Sequence, residues 1–521
     1  MAAPGRRSSS AGLSARVVDF VIDEISFSVF AVLDFVDQLL CPVFAVLDSL
    51  LEIRSPSCYC RKNVAPGRGS FASPLLSSAK EVGGTGDGVL ESWRISSTTV
   101  HSYERRRAGT RKLHLVPLLR SLSSEASIDE SAVSCSREVP GEAGGSESSS
   151  TREHGRVLGR GIGMFSKARS KLQGLSSARS CDENPVVRWS DCGCEKCVSW
   201  QANDQLLYVR VDDKEFWASS RGDDDGQIRS AENNVIFLHG FLSSSSFWTE
   251  SVMPALPQDV RANHRLFAVD ILGFGKSPKP LNNSYTLADH VLMIQRSLIQ
   301  LHGIRKFHLV AHSMGCTVAL ALAAQFPSAV KSITLLAPPY FPATPGITPG
   351  IHTMHQVAPR RIWPLMAFGS AVMSWYEHVG RVVCLIICKN HRVWEPLLRF
   401  LHSNIPGHRI PLSSVTDFMQ HTHHSAWHLF HNTICNGAQA ADHCLQVLLR
   451  AGLRVRVIHG TEDAVIPFTQ SEKLSGRYPN VLLTPVISAN HASIVFGRES
   501  ELGMDLAEEF SFGESSAKER T

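Results

Sequence analysis

The ten residues His308-Leu309-Val310-Ala311-His312-Ser313-Met314-Gly315-Cys316-Thr317 constrain this chain more than any others. A β-rich run, Phe307 to Ala311, leads into them, and an Ala/Leu-rich run with helical character, Thr317 to Phe326, leads out. Ser313 stands at the join with small residues two positions to either side, Ala311 and Gly315. A strand that turns at once into a helix has no room for bulk beside the turn. The turned residue is lifted out at the strand's C-terminal end, which is the layout of a nucleophile elbow. The usual first small residue is glycine; Ala311 adds one methyl where Leu or Val would not fit. The helix that follows points free backbone amides at whatever binds beside Ser313, and His312 and Met314 flank the hydroxyl directly.

A serine needs partners to react, and the rest of the α/β-patterned region supplies them in order. Val235–Leu238 reads as a buried strand, followed by His239-Gly240-Phe241. Gly240 lets the backbone aim an amide inward, so the N–H groups of Phe241 and Met314 are the expected oxyanion donors. Loss of one such donor costs about 3–4 kcal/mol of transition-state stabilisation. His239, placed before the turn glycine, is expected to make a structural hydrogen bond. Asp270 follows the strand Arg265–Val269, but Gly273, Gly275 and Ser277 mark it as a loop-shaping residue bonded to local amides. The strand Arg454–His459 ends in Gly460, with Glu462 and Asp463 just beyond. The last strand, Val481–Val486, precedes Asn490-His491. Ser313, Asp463 and His491 thus each follow a strand's C-terminal end, where doubly wound sheets build their sites. Glu462 is the alternative acid.

Between Tyr340 and Cys444 the alternation of strand and helix stops, and Trp363, Met366, Trp375, Tyr376, Trp394 and Phe418 accumulate. An insertion at about 340–445 is expected to be a helical lid that shapes an apolar pocket and excludes water. It holds five histidines between His421 and His431. His424 and His428 share a helical face, but with no carboxylate nearby they are expected to pack the lid. Cys192, Cys194 and Cys197, with Cys181 nearby, make a thiol group without a recognisable fourth zinc ligand. Disulfides, or a docking cluster, are expected there. The chain is expected to need no metal and no cofactor.

The remaining segments set the frame. Residues 1–60 contain the apolar runs Ile25–Leu33 and Leu39–Leu47, each shorter than the roughly 20 residues that span a bilayer. They are separated by acidic residues, and Leu39-Leu40-Cys41 is a candidate processing or acylation point. This segment is expected to act as a signal or membrane-associating element, against the alternative of two amphipathic helices packed on the protein. Residues 61–184, rich in Gly, Ser, Arg and Glu, lack the aliphatic content to offset the entropy of ordering and are expected to be a disordered linker. An α/β domain is placed at 185–512 and a tail at 513–521. Net charge is +4, with no basic block interleaved with aromatics, which argues against nucleic acid as a partner. Asn282-Asn283-Ser284 is a glycosylation sequon if the chain is exported. Nothing in the sequence bears on oligomeric state.

The order Ser…Asp…His is that of α/β-hydrolases, which the chain resembles. More narrowly, it resembles the plant BODYGUARD proteins, lysophospholipase-like hydrolases of cuticle formation. The resemblance is carried by Arg188-Trp189-Ser190-Asp191-Cys192-Gly193-Cys194, His239-Gly240-Phe241, the Ala311–Cys316 elbow and Leu335-Leu336-Ala337-Pro338-Pro339-Tyr340. It continues through Ser374-Trp375-Tyr376-Glu377-His378, Lys389-Asn390-His391 and the run from His421 to His428. It implies a doubly wound, mostly parallel sheet with a helical lid, and a serine hydrolase acting on acyl-lipid or hydroxy-acyl esters through an acyl-enzyme. An alcohol in place of water would make the same site an acyltransferase. A hydrolase fold used as a non-catalytic scaffold is the alternative from another class. The resemblance further implies export to the epidermal surface or wall, membrane or cell-wall association, and a part in cutin or wax deposition.

Overall fold

A computed structural model describes residues 10–52, 187–202, 206–219, 231–342, 349–363, 365–404 and 410–520. The expected linker at 61–184, and with it Cys181, lies outside the described residues. Seven strands form one sheet: β1 Val209–Asp212, β2 Asn234–Leu238, β3 Arg265–Val269, β4 Phe307–His312, β5 Val330–Leu336, β6 Val455–Gly460 and β7 Val481–Val486. Their order is β1-β3-β2-β4-β5-β6-β7. Only β1, on the edge beside β3, runs antiparallel; the other pairs are parallel. The central strands read as unbroken aliphatic runs because helices cover both faces of a parallel sheet. Every residue of β2, β3 and β4 is accordingly buried.

The helix Met314–Gln325 is built almost wholly of Ala, Leu and other small or apolar residues. It is buried on all sides except at its last residue, Gln325. It lies against β4 on one side and the helix Gly437–Arg450 on the other. That second helix therefore belongs to the layer covering the sheet, although the sequence boundary of about 445 would put most of it in the lid. The helix Glu499–Arg520 packs on β5 and runs without a break through position 512. Residues 513–520 continue this element where a tail was expected.

The lid between β5 and β6 is helical. It comprises Pro349–Val357, Leu365–Trp375, Glu377–Ile386, His391–Ser403, Ser413–Met419 and His423–His428, the last passing into the π-helical Leu429–Cys435. Its histidines are mostly packing elements. The His431 ring sits between the carbonyls of Trp427 and Ser374, at 2.8 and 3.0 Å, and His424 lies 3.1 Å from the Asn283 carbonyl.

The N-terminal region differs from both sequence expectations, the two short runs and the helix pair. It is a single helix, Ser10–Leu51, with Pro42 inside it, and the stretch Val21–Leu51 is long and apolar enough to cross a membrane. The acidic residues do not divide it because they share one face: Asp23, Asp34, Asp37 and Asp48 recur at steps of 11, 3 and 11, and eleven residues are close to three helical turns. That face is docked on the domain. Asp23 meets Arg361 at 3.1 Å, Asp34 meets Arg360 at 2.6 Å, and Asp37 accepts from the backbone amides of His378 and Val379. Asp48 receives both arms of Arg381, at 2.6 and 2.7 Å, together with Arg188 and the Trp189 indole. The opposite face leaves Ile25, Val32, Leu39, Val43, Val46 and Leu50 exposed.

Candidate active site

The elbow is formed as its small residues require. Ser313 has φ 52° and ψ −124°, a left-handed conformation that a non-glycine residue adopts only where the surroundings impose it. Its amide is held by the Leu336 carbonyl at 2.9 Å, and its carbonyl accepts from the Cys316 amide at 2.9 Å. Gly315 is needed because a Cβ there would lie 2.6 Å from the carbonyl oxygens of both Leu238 and His239. The nucleophile turn is thereby pressed against the end of β2. Ala311 is fully buried and accepted without distortion of the β4 ladder.

The structure brings Ser313, His491 and Asp463 together from the ends of β4, β7 and β6. His491 Nε2 lies 3.1 Å from Ser313 Oγ, and His491 Nδ1 lies 2.7 Å from Asp463 Oδ2. Asp463 Oδ1 accepts from the amides of Val465 and Ile466, each at 2.8 Å. Burial opposes the carboxylate's charge. Hydrogen bonds from His459 and His491 and from the backbone outweigh it and hold the acid well below the usual carboxylate range. Glu462, next in the chain, is exposed, so Asp463 is the carboxylate that faces the imidazole. Asn490 Oδ1 accepts from the Ala492 and Ser493 amides and fixes the loop that carries His491. Gly460 is pressed as closely as Gly315: a Cβ would meet the Ala489 carbonyl oxygen at 2.2 Å.

The supporting residues sort by contact. Among the described residues, neither the Phe241 nor the Met314 amide donates to a protein acceptor. The Phe241 ring packs edge-on against Phe274 and Phe430, joining this loop to the lid. His239 is fully buried; its Nδ1–H donates to the Gly240 carbonyl at 2.7 Å, and its Nε2 accepts from the Ile271 amide at 2.9 Å. Burial depresses its pKa, as suits an imidazole fixed in one neutral tautomer. Asp270 shapes its loop through the amides of Ser245 and Lys276. His312 reaches across the site and donates from Nε2 to the His491 carbonyl at 3.1 Å, with its ring stacked on Phe247. Burial, with the neighbouring His491, pushes its pKa down to about 3, so it positions the His491 loop and takes no proton.

Sequence reading missed one residue of the site. His459, on β6, is fully buried with Nε2 3.3 Å from Asp463 Oδ2 and 2.9 Å from the Ile466 carbonyl. Its signal was its place at a strand end four residues before the acid. Of the two expectations for the thiol group, disulfides are not formed: Cys192, Cys194 and Cys197 are free thiols. A lid residue lies against Cys194 and Cys197: His391 Nε2 is 3.6 Å from Cys194 Sγ and 3.7 Å from Cys197 Sγ.

A serine hydroxyl, an imidazole with both nitrogens engaged and a buried carboxylate at these distances can form and discharge a covalent acyl intermediate, given donors for the oxyanion. Residues 233–367 match the family model described as "alpha/beta hydrolase fold". Among similar proteins, "Probable lysophospholipase BODYGUARD 4" of Arabidopsis thaliana is 42% identical over 66% of this chain and 79% of that protein. "Probable lysophospholipase BODYGUARD 3" of the same plant is 34% identical over 93% of this chain and 95% of its own length. "Probable lysophospholipase BODYGUARD 5" is 40% identical over 64% of this chain and 72% of its own length. With the mostly parallel hydrolase sheet and near full-length identity to such a relative, the chain belongs to the BODYGUARD family of α/β hydrolases.

Proposed function

We propose that this protein is a serine hydrolase of acyl esters, lysophospholipids or hydroxy-acyl esters among them, working through an acyl-enzyme on Ser313. The observation that carries the reading is the single imidazole of His491 bridging Ser313 Oγ at 3.1 Å and Asp463 Oδ2 at 2.7 Å. His491 takes the serine proton during attack and returns it to the departing alcohol, and Asp463 stabilises the transient imidazolium. The amides of Phe241 and Met314 hold the oxyanion. Water completes the cycle by attacking the acyl-enzyme. The substrate class rests on the relatives' printed names and on the lid residue Phe430, which packs against Phe241 beside the site.

Two further elements of the reading concern place. The N-terminal helix lies on a lipid surface, supported by its exposed apolar stripe opposite a docked acidic face. Export to the plant cell surface, with a part in cuticle deposition, is supported by family membership, and Asn282 is exposed for glycosylation.

The test is labelling with a fluorophosphonate probe of wild type and Ser313→Ala, in the absence and presence of lipid vesicles, followed by mass mapping of the adduct. An adduct on Ser313 alone, absent from the variant, is the expected result. Folded wild-type protein that stays unlabelled with and without vesicles would leave the fold serving as a scaffold.

A further inference from the structure

We propose that the domain carries a zinc centre, remote in sequence and role from Ser313, in which Cys192, Cys194, Cys197 and His391 hold one ion and Cys384, Cys388, His421 and Asp191 hold a second. Each first-named group is compact: the ligand atoms of Cys192, Cys194, Cys197 and His391 all lie within 4.8 Å of one another, as do those of Cys384, Cys388 and His421. Zinc binds thiolate sulfur at about 2.3 Å and imidazole nitrogen at about 2.0–2.1 Å, so a tetrahedral ion sets sulfur and nitrogen ligands about 3.6 Å apart. The observed separations are 3.6 and 3.7 Å from His391 to Cys194 and Cys197. They are 3.8 and 3.6 Å from His421 to Cys384 and Cys388.

Independent observations point to the same place. A cavity of about 20 Å³ is lined by Cys192 and Cys197 from one group and by Cys384, Cys388 and His421 from the other. Asp191 lines it too; the residue is 8% exposed, and its Oδ2 has no hydrogen-bond partner. A buried carboxylate oxygen without a partner is costly, and coordination in the second group removes that cost. Lys279, also on the cavity wall, is 2% exposed; it donates to the carbonyls of Gly275 and Ser277 and lies over the Trp200 ring. No carboxylate pairs with it among the described residues, and zinc-bound thiolates would supply the negative charge it faces. Cys192, Cys194, Cys197, Cys384 and Cys388 are all free thiols.

On binding, the thiols lose their protons to solvent and the imidazoles coordinate as neutral ligands. The consequence is mechanical. Cys192, Cys194 and Cys197 sit at the chain's entry into the domain, at the start of the helix Glu195–Ala202, whereas His391 begins a lid helix and Cys384 ends the one before it. The ions would fasten the lid to the domain's entry segment.

The experiment uses the full chain, expressed in zinc-containing medium and purified without chelator. Metal content by mass spectrometry, the thiolate-to-cobalt charge-transfer and tetrahedral d–d bands after cobalt exchange, and thiol mapping by alkylation are read together. Two zinc ions per chain are expected, with one lost in His391→Ala and one lost in Cys388→Ser. His391→Cys should keep both, because the ligand is exchanged rather than removed. One ion that survives Cys388→Ser and is lost in His391→Ala would overturn the second site. A wild-type chain with no zinc and no cobalt spectrum, or with these cysteines in disulfides, would overturn the proposal. The wild-type readings decide the matter even if a variant fails to fold, and none of them depends on catalysis.

Discussion

Gly315→Ala isolates the geometry of the elbow from its chemistry. The added Cβ would sit 2.6 Å from two backbone carbonyl oxygens, those of Leu238 and His239, and 3.0 Å from the Leu238 carbonyl carbon. Backbone at the end of a buried central strand cannot swing aside as a side chain would. Reaching an ordinary contact of about 3.4 Å requires the nucleophile helix and β2 to separate by roughly 0.8 Å. That displacement shifts the elbow against the loop after β2, where Gly240 lies close to Ser313. Overpacking costs about 1–3 kcal/mol, and the gain in helix propensity from Gly to Ala returns about 0.8–1 kcal/mol. Net stability should therefore fall by no more than about 2 kcal/mol. Misplacement of reacting groups by about 1 Å costs about 10²-fold in rate, or about 2.7 kcal/mol of activation free energy. The assay is the second-order rate constant for fluorophosphonate labelling, with turnover of a short-chain aryl ester, run well below the melting temperature. Labelling and melting both close to wild type would refute the reasoning and show that the turn relaxes without moving the hydroxyl.

Asp463→Asn should lower ester turnover by about 10⁴-fold while leaving the fold intact, because the amide fixes the wrong imidazole tautomer; turnover within a small factor of wild type would shift the acid's role to another residue. The contact between His378 and the N-terminal helix should depend on pH. Burial works against the charge on His378, but hydrogen bonds to Asp37 and Cys41 outweigh it and raise its pKa to about 10. The stabilisation is thus complete below the unfolded value of about 6.5 and is lost as pH rises toward 10. Protease resistance of the helix junction should fall over that window in wild type and show no such fall in His378→Gln.

The grouping of Ser313, Asp463 and His491 was legible because each follows a strand whose own sequence announces it, Phe307–His312, Val455–Gly460 and Val481–Val486, by their content of Val, Ile and Leu. Local pattern and tertiary place coincide there. His391 was not legible as a partner of Cys194, since nearly two hundred residues and a change of domain layer separate them, and no spacing rule spans a lid. His459 was hidden differently: a buried histidine in a strand looks the same whether or not an acid lies over it. The N-terminal helix was misjudged because acidic residues were counted as interruptions. The repeat that places Asp23, Asp34, Asp37 and Asp48 on one face was in the sequence, but the partners that give that face a reason to be acidic, Arg188, Arg360, Arg361, His378 and Arg381, lie far along the chain.

Arg188 reaches back to Asp48 at 3.1 Å and to Glu52 at 3.5 Å, and the Trp189 amide meets Glu52 at 3.3 Å. The chain therefore leaves the N-terminal helix and re-enters the domain at a single knot of charges. Two carboxylates, Asp48 and Glu52, are therefore shared between the end of the helix and the Arg188-Trp189 pair. A single substitution at Asp48 would thus loosen two attachments at once, the hold of Arg381 on the helix and the seat of Arg188 and Trp189 at the domain's entry.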